Sequence, residues 1–297
     1  MRRTKVCLLS VALLTVGGSE IGSQTQGATS QPIRQIDHIM IRTGNPQELY
    51  AFFTETLGLP IAWAMTSPRA GVVTGGVAFG NVNVEAIQFP GQRDARPRLV
   101  GFALEPSGLD ESLSELKSRG ITSSERRPLI AVGPDGSKNT LWTNVTLQQF
   151  SDVDSPVNAT LHIFLSEYSA TYVNVEERRA RLRRQLVETG GGPLGVIAVK
   201  EVIIGATDLA TARRLWQRLL DPTPSSTSDT WQVGSGPAIR LVSARENRIQ
   251  TLVIRVTSLD RAKAFLREKQ LLGADSDGYS PIDPSKVGGL DIRLVDR

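Results

Sequence analysis

The residues best suited to chemistry are few. The chain contains two histidines, His38 and His162. In Ile36-Asp37-His38-Ile39-Met40-Ile41 the alternation reads as a strand. Ile39 and Ile41 can pack under a helix, which turns His38 to the opposite face. In Asn81-Val82-Asn83-Val84-Glu85-Ala86 the valines and Ala86 take the helix side, so Asn81, Asn83 and Glu85 face inward. In Thr160-Leu161-His162-Ile163-Phe164-Leu165 the aliphatic residues do the same, leaving His162 inward with Thr160 and Phe164. A single strand histidine is more often a hydrogen-bonded core residue than a ligand. Two imidazoles and a carboxylate together make a donor set for one divalent ion such as Zn, Fe, Ni, Co or Mn. Three protein ligands, His38, Glu85 and His162, leave room for water or substrate, as catalytic sites do. Asp37 and Glu167 are nearby carboxylates able to orient an imidazole or replace a ligand. Trp63, Asn83, Trp142 and Phe164 are the expected lining for a small-molecule ligand, with core packing the plainer account of the aromatic three.

These residues must be positioned by a repeat. After the opening strand, Asn45 reads as an N-cap, Pro46 as the first helical residue and Glu48 as the capping-box acid. Leu49, Phe52, Phe53 and Leu57 share a helical face, and Gly58 supplies the stop. Strands are expected at 61–66, 72–79 and 81–89. The pattern then restarts: strand 98–104, helix 109–119, and strands 129–132, 139–150 and 158–165. A polar, arginine-rich segment, 174–192, ends in Gly190-Gly191-Gly192-Pro193 and marks the best domain boundary. A third unit runs from strand 196–204 through a helix bearing Leu209, Ala212, Leu215, Trp216 and Leu219. A fourth starts at 250–256, and its middle strands are poorly marked. Four β-α-β-β-β units predict an α+β fold, with a curved mixed sheet for each pair of units and a concave pocket inside each curve.

Superposing unit two on unit one sets Gly101 opposite His38 and His162 opposite Glu85. On that alignment both histidines and the inward carboxylate occupy three of four equivalent positions. In the second pair of units the same positions hold Glu201, Thr251, Arg240 and Arg293. A glutamate between two arginines reads as a structural ion pair, or as a socket for an anion, and predicts a second domain without metal.

The 297 residues fit two domains. With 40% hydrophobic and 22% charged residues, the composition is that of a soluble globular protein. Met1 to Lys5 is basic, 6–16 is apolar, and small residues follow, so residues 1–23 read as a secretory signal and 24–34 as a flexible lead-in. That predicts export to a periplasmic or extracellular space, with no stable membrane insertion. Cys7, the only cysteine, lies within the signal, so the mature chain would have no thiolate ligand. The net charge of +4 falls further on cleavage. The basic run 176–184 carries no aromatic residues and reads as the solvated face of a linker helix, so nucleic acid is not an expected partner.

Asp37-His38 opening a strand, Leu57-Gly58-Leu59 after the helix, and Asn83-Val84-Glu85 in the last strand of unit one carry a family resemblance. Pro193-Leu194-Gly195-Val196 and Ile282-Asp283-Pro284 before Gly288-Gly289-Leu290 add to it. From about Gln35 onward the chain resembles the vicinal oxygen chelate (VOC) superfamily, which includes glyoxalase I, extradiol dioxygenases, fosfomycin-resistance proteins and bleomycin-binding proteins. The resemblance implies two glyoxalase-like domains, 35–173 and 195–297, joined by a linker helix at 174–194. It also implies ligands on the first and last strands of each unit. Gly101 departs from this pattern, standing where glyoxalase I keeps a ligand. One expected function is a metal-dependent lyase, isomerase or dioxygenase acting on an oxygen-chelating substrate by Lewis-acid stabilisation of an enolate or oxyanion. The alternative is non-catalytic binding of the bleomycin-resistance type. The family closes its sites within one chain or across a homodimer, and both remain open.

Overall fold

The computed structural model describes residues 31–92, 95–152, 156–223, 229–275 and 278–296. The predicted signal segment and most of the lead-in lie outside these residues. The chain is α+β and is built on two mixed sheets. The first has eight strands in the order β2-β3-β4-β1-β5-β8-β7-β6 and curls into a half-barrel. Its strands are β1 (Ile33–Arg42), β2 (Ile61–Thr66), β3 (Val73–Ala78), β4 (Asn83–Gln88), β5 (Arg98–Pro106), β6 (Arg127–Val132), β7 (Lys138–Thr146) and β8 (His162–Tyr168). The two unit-opening strands, β1 and β5, lie antiparallel at the centre, and each runs parallel to its own unit's last strand, β4 or β8.

The first helix forms as its sequence signals suggest. Asn45 accepts from the Glu48 backbone N–H and opens α1 (Pro46–Ala51). The chain then widens into a π turn over Phe52–Thr56, closed by Leu57 N–H donating to Phe52 O at 3.0 Å. Gly58, at φ 62, stops it in a conformation that side-chain-bearing residues rarely adopt. Leu49, Phe53 and Leu57 are buried under the sheet, and Phe53 meets Phe79 edge-on at 5.3 Å. Unit two repeats the plan with α2 (Leu109–Ser118), whose first N–H, at Leu109, donates to Glu167. Glu167 is therefore a helix-capping residue.

The second sheet has six strands among the described residues, in the order β10-β11-β9-β12-β14-β13. They are β9 (Val196–Ala206), β10 (Thr230–Gln232), β11 (Ala238–Ser243), β12 (Arg248–Val256), β13 (Ser280–Pro281) and β14 (Asp291–Val295). Among the described residues units three and four each carry one strand fewer than units one and two, and the two-residue β13 matches the weak signal in unit four. Their helices are α4 (Leu209–Leu220) and α5 (Leu259–Glu268). Between the sheets, Asn174 caps α3 (Val175–Glu188).

The halves share a core. Trp216 of α4 packs on Phe150 at 4.9 Å and Phe102 at 6.0 Å, both from the first half. Asn81, expected to face the pocket, instead bonds reciprocally with the Val199 backbone of β9, at 3.0 Å each way. Among the described residues no helix is long and apolar enough to cross a membrane.

Candidate functional site

Strand β1 is buried on both faces, so alternation alone misassigns Asp37. Ile36 pairs with Leu104 and His38 with Ala103, so β1 spends an extra residue, Asp37, between consecutive partners. Such a bulge re-aims side chains. Asp37 consequently joins His38 instead of turning to the helix side, and its Oδ2 accepts from His38 Nδ1 at 2.8 Å. The other ring nitrogen, Nε2, faces Glu85 Oε2 on β4 at 3.5 Å. Thr74 on β3 donates to Glu85 Oε1 at 2.5 Å, which leaves Oε2 for the imidazole side. Trp63 and Phe164 stand edge-on to the His38 ring, each with its centroid 5.9 Å away.

Asp37 also accepts from Tyr168 Oη at 3.0 Å and from Arg178 Nη2 at 2.9 Å. Burial alone would raise its pKa. The bond from His38, the charges of His38 and Arg178 and the Tyr168 bond outweigh that and lower it to about 2. Burial opposes a charged imidazole at His38, but the Asp37 bond and the Glu85 charge prevail and raise its pKa. Burial, followed by the Asp37 charge, pushes the Tyr168 phenol well up.

The pairing of the strands corrects the alignment of the units. The interval from Asn45 to Gly108, the residues preceding α1 and α2, equals that from His38 to Gly101, so those two positions do correspond. But β1 pairs His38 with Asn83 and Met40 with Glu85, whereas β5 pairs Gly101 with His162 and Ala103 with Phe164. His162 therefore corresponds to Asn83, and Phe164 takes the place of Glu85. The longer loops of unit two hide this two-residue step. Phe164 lies 5.9 Å from the His38 ring and 5.3 Å from the His162 ring. Among the described residues no group of three or more His, Cys, Asp or Glu is arranged to hold a metal ion. The structure brings His38 and Glu85 together and does not add His162 to them.

Gly101 is a steric requirement. A Cβ there would lie 1.8 Å from the His162 carbonyl oxygen, so no ligand side chain could stand at this position. Of the other pocket residues, Asn83 Nδ2 lies 3.5 Å from the Asp37 carbonyl oxygen. Trp142 packs with Tyr168 at 6.3 Å and Tyr172 at 5.7 Å. Sequence reasoning missed Thr74, Tyr168 and Arg178. None has a local signal, since each reaches the site from a different element.

In the second sheet Glu201 accepts from Arg240 Nε at 2.8 Å, as an ion pair. Arg293 makes two bonds to Asp291, at 2.9 and 2.7 Å, and Thr251 donates to Asp291 at 2.7 Å. The single glutamate between two arginines is thus replaced by two carboxylates, one for each arginine.

Residues 35–129 match the family model of the Glyoxalase/Bleomycin resistance protein/Dioxygenase superfamily. Comparison with curated proteins found no match. Among solved structures, the anaerobic complex of homoprotocatechuate 2,3-dioxygenase from Brevibacterium fuscum with 3,4-dihydroxyphenylacetate is similar at 11% identity and a TM-score of 0.54. That likeness covers 91% of this chain and 82% of the dioxygenase. The Mn(II)-bound glyoxalase from Novosphingobium aromaticivorans is similar at 14% identity and a TM-score of 0.53, over 89% of this chain and 82% of the glyoxalase. At these identities the likeness is one of fold.

Proposed function

We propose, on the premise that residues 35–129 belong to the glyoxalase/bleomycin-resistance/dioxygenase superfamily, that the first sheet's cup binds a small molecule bearing two neighbouring oxygens. The polar end of the cup would be a divalent ion held by His38 Nε2 and Glu85 Oε2. One observation carries this reading. When deprotonated, His38, with Nδ1 donating to Asp37, points a lone pair at the Glu85 carboxylate across 3.5 Å, and a metal ion would displace the Nε2 proton that the raised pKa favours in the metal-free protein. Two acceptors face to face call for a cation between them, a proton or a metal ion. The donor types suit a metal: an imidazole backed by a carboxylate, and a carboxylate oriented by a hydroxyl. The Mn(II) of the similar glyoxalase and the dihydroxy substrate of the similar dioxygenase point the same way.

A bound divalent ion would polarise a substrate oxygen and stabilise negative charge developing on it. The chain's own residues supply the rest. Asp37 fixes the imidazole orientation, and Thr74 fixes that of the Glu85 carboxylate. Trp63 and Phe164, edge-on to the His38 ring, would be the apolar walls for the substrate body. Two protein donors are fewer than the three usual in catalytic zinc sites. The ion should therefore bind weakly alone and more tightly with a chelating ligand.

Non-catalytic sequestration is favoured by a different observation. The unit-two half of the cup presents Gly101 and Phe164 in place of ligands. Export of the chain after removal of residues 1–23 belongs to both readings, and N-terminal sequencing of protein from the culture medium or periplasm tests it.

The deciding experiment is equilibrium dialysis of the mature protein against Mn(II), with and without a catechol. Near-stoichiometric binding, tightened by the catechol, lost in His38→Ala and Glu85→Ala and kept in His162→Ala, is the expected result. Turnover of the bound compound then separates enzyme from carrier. No binding under either condition, or binding indifferent to His38→Ala, would overturn the proposal.

A further inference from the structure

The run of arginines in α3 reads from sequence as a solvated face, and Arg181, Arg183 and Arg184 are exposed. Arg178 and Arg179 are not. Arg179 Nη2 meets Glu105 of β5 at 2.7 Å, which ties the helix to the sheet. Arg178 goes deeper: its side chain is 11% exposed, and its guanidinium lies 4.9 Å over the Tyr168 ring. Its Nη2 donates to Asp37 Oδ1 at 2.9 Å, while His38 and Tyr168 bond the other oxygen, Oδ2, at 2.8 and 3.0 Å.

We propose that Arg178 is a positioning residue for the His38–Glu85 pair, supplied to the cup by the connecting helix. This rests on the reading of that pair as the polar end of a ligand site. The terminal torsion of a carboxylate is broad, so one fixed oxygen leaves the other free to swing. Asp37 sits at a bulge, where ladder pairing constrains it less than its neighbours. Arg178 on Oδ1 removes the swing and presents Oδ2 to Nδ1, and this in turn aims Nε2 at Glu85. A carboxylate this deeply buried also requires a partner of opposite charge. The functional unit is therefore the first sheet together with α3. Residues 33–168 alone would contain His38 and Glu85 but not the group that orients them.

The test uses the full mature chain labelled with 15N-histidine. With two histidines in the sequence, His162→Asn assigns the spectrum. The readout is the His38 Nδ1–H proton, shifted downfield and protected from exchange by its bond to Asp37. The signal is expected in the wild type and in Arg179→Met, which removes a comparably buried arginine of the same helix. It should broaden or vanish in Arg178→Met and return in part in Arg178→Lys. Mn(II) affinity, read from the paramagnetic resonance of the free ion, should fall about ten- to a hundredfold in Arg178→Met and stay unchanged in Arg179→Met. A signal unchanged in Arg178→Met overturns the proposal, as does equal loss in Arg179→Met. Should Arg178→Met fail to fold, Arg178→Lys and Tyr168→Phe carry the same readout. A wild type that binds no Mn(II) but whose Nδ1–H responds to Arg178 would sink the function reading and leave the positioning role standing.

Discussion

Replacing Gly101 by alanine should cost more than a methyl group would suggest. The added Cβ would lie 1.8 Å from the His162 carbonyl oxygen, 2.7 Å from its carbon and 3.1 Å from its Cα. Real Cβ atoms essentially never approach within 3.0 Å, and the obstruction is backbone, so no side chain can rotate away. Strands β5 and β8 must part by more than an ångström at the pairing of Gly101 with His162. Losing two ladder hydrogen bonds costs roughly 1 kcal/mol each, and the forced shift in a packed core adds about 1–3 kcal/mol. The expected loss is therefore about 3 kcal/mol or more, against a typical total of about 5–15 kcal/mol. An ordinary Gly→Ala change at a compatible site stabilises by about 0.4–1 kcal/mol. Guanidinium unfolding of wild type and Gly101→Ala, followed by tryptophan fluorescence, measures the difference. A loss under about 1 kcal/mol would refute the claim that β8 excludes every side chain from this position.

Phe164→Glu places a carboxylate at the strand position corresponding to Glu85; Mn(II) affinity should rise at least about tenfold, while the metal-free variant loses about 3 kcal/mol in thermal unfolding. In metal-free protein, Asp37, with its pKa lowered from 3.8 to about 2, contributes stability that is complete above about pH 4 and drains away as pH falls through about 2. The shift is worth about 2 kcal/mol, and acid titration should show this component missing in Asp37→Asn. His38 has the opposite sign: its raised pKa gives a contribution present below 6.5 and lost as pH rises. Trp216→Ala should cost about 3–5 kcal/mol, because Trp216 packs on Phe102 and Phe150 across the two halves. Calorimetry should show the wild type melting in one transition and the variant broadened or split.

Much of the fold was legible in the chain. Capping residues, glycine stops and strand alternation are local signals, and β1, α1 and the repeat could be read from them. Asn45 and Gly58 do what their types imply. The fourth unit was less legible because β13 has only two residues, too short to show a period. That His38 and Glu85 share a face was also accessible, since each alternates with aliphatic residues, Ile39 and Ile41 or Val84 and Ala86, that are buried in the core.

What the sequence determined by itself was the face taken by His38 and Glu85 in the regularly paired parts of their strands, because a period of two is a property of the backbone. The step between strands is not. Whether His162 or Phe164 answers to Glu85 depends on how loops of unequal length let β8 slide against β5, and a slide of two residues keeps every side chain on its own face. Only the tertiary structure decided it, and with it which donors share a site. The bulge at Asp37 and the reach of Arg178 from α3 belong to the same class. The first is an irregularity of pairing. The second is a contact between residues 141 positions apart. Neither leaves a mark in the sequence around it, because what creates each is the packing of one element on another.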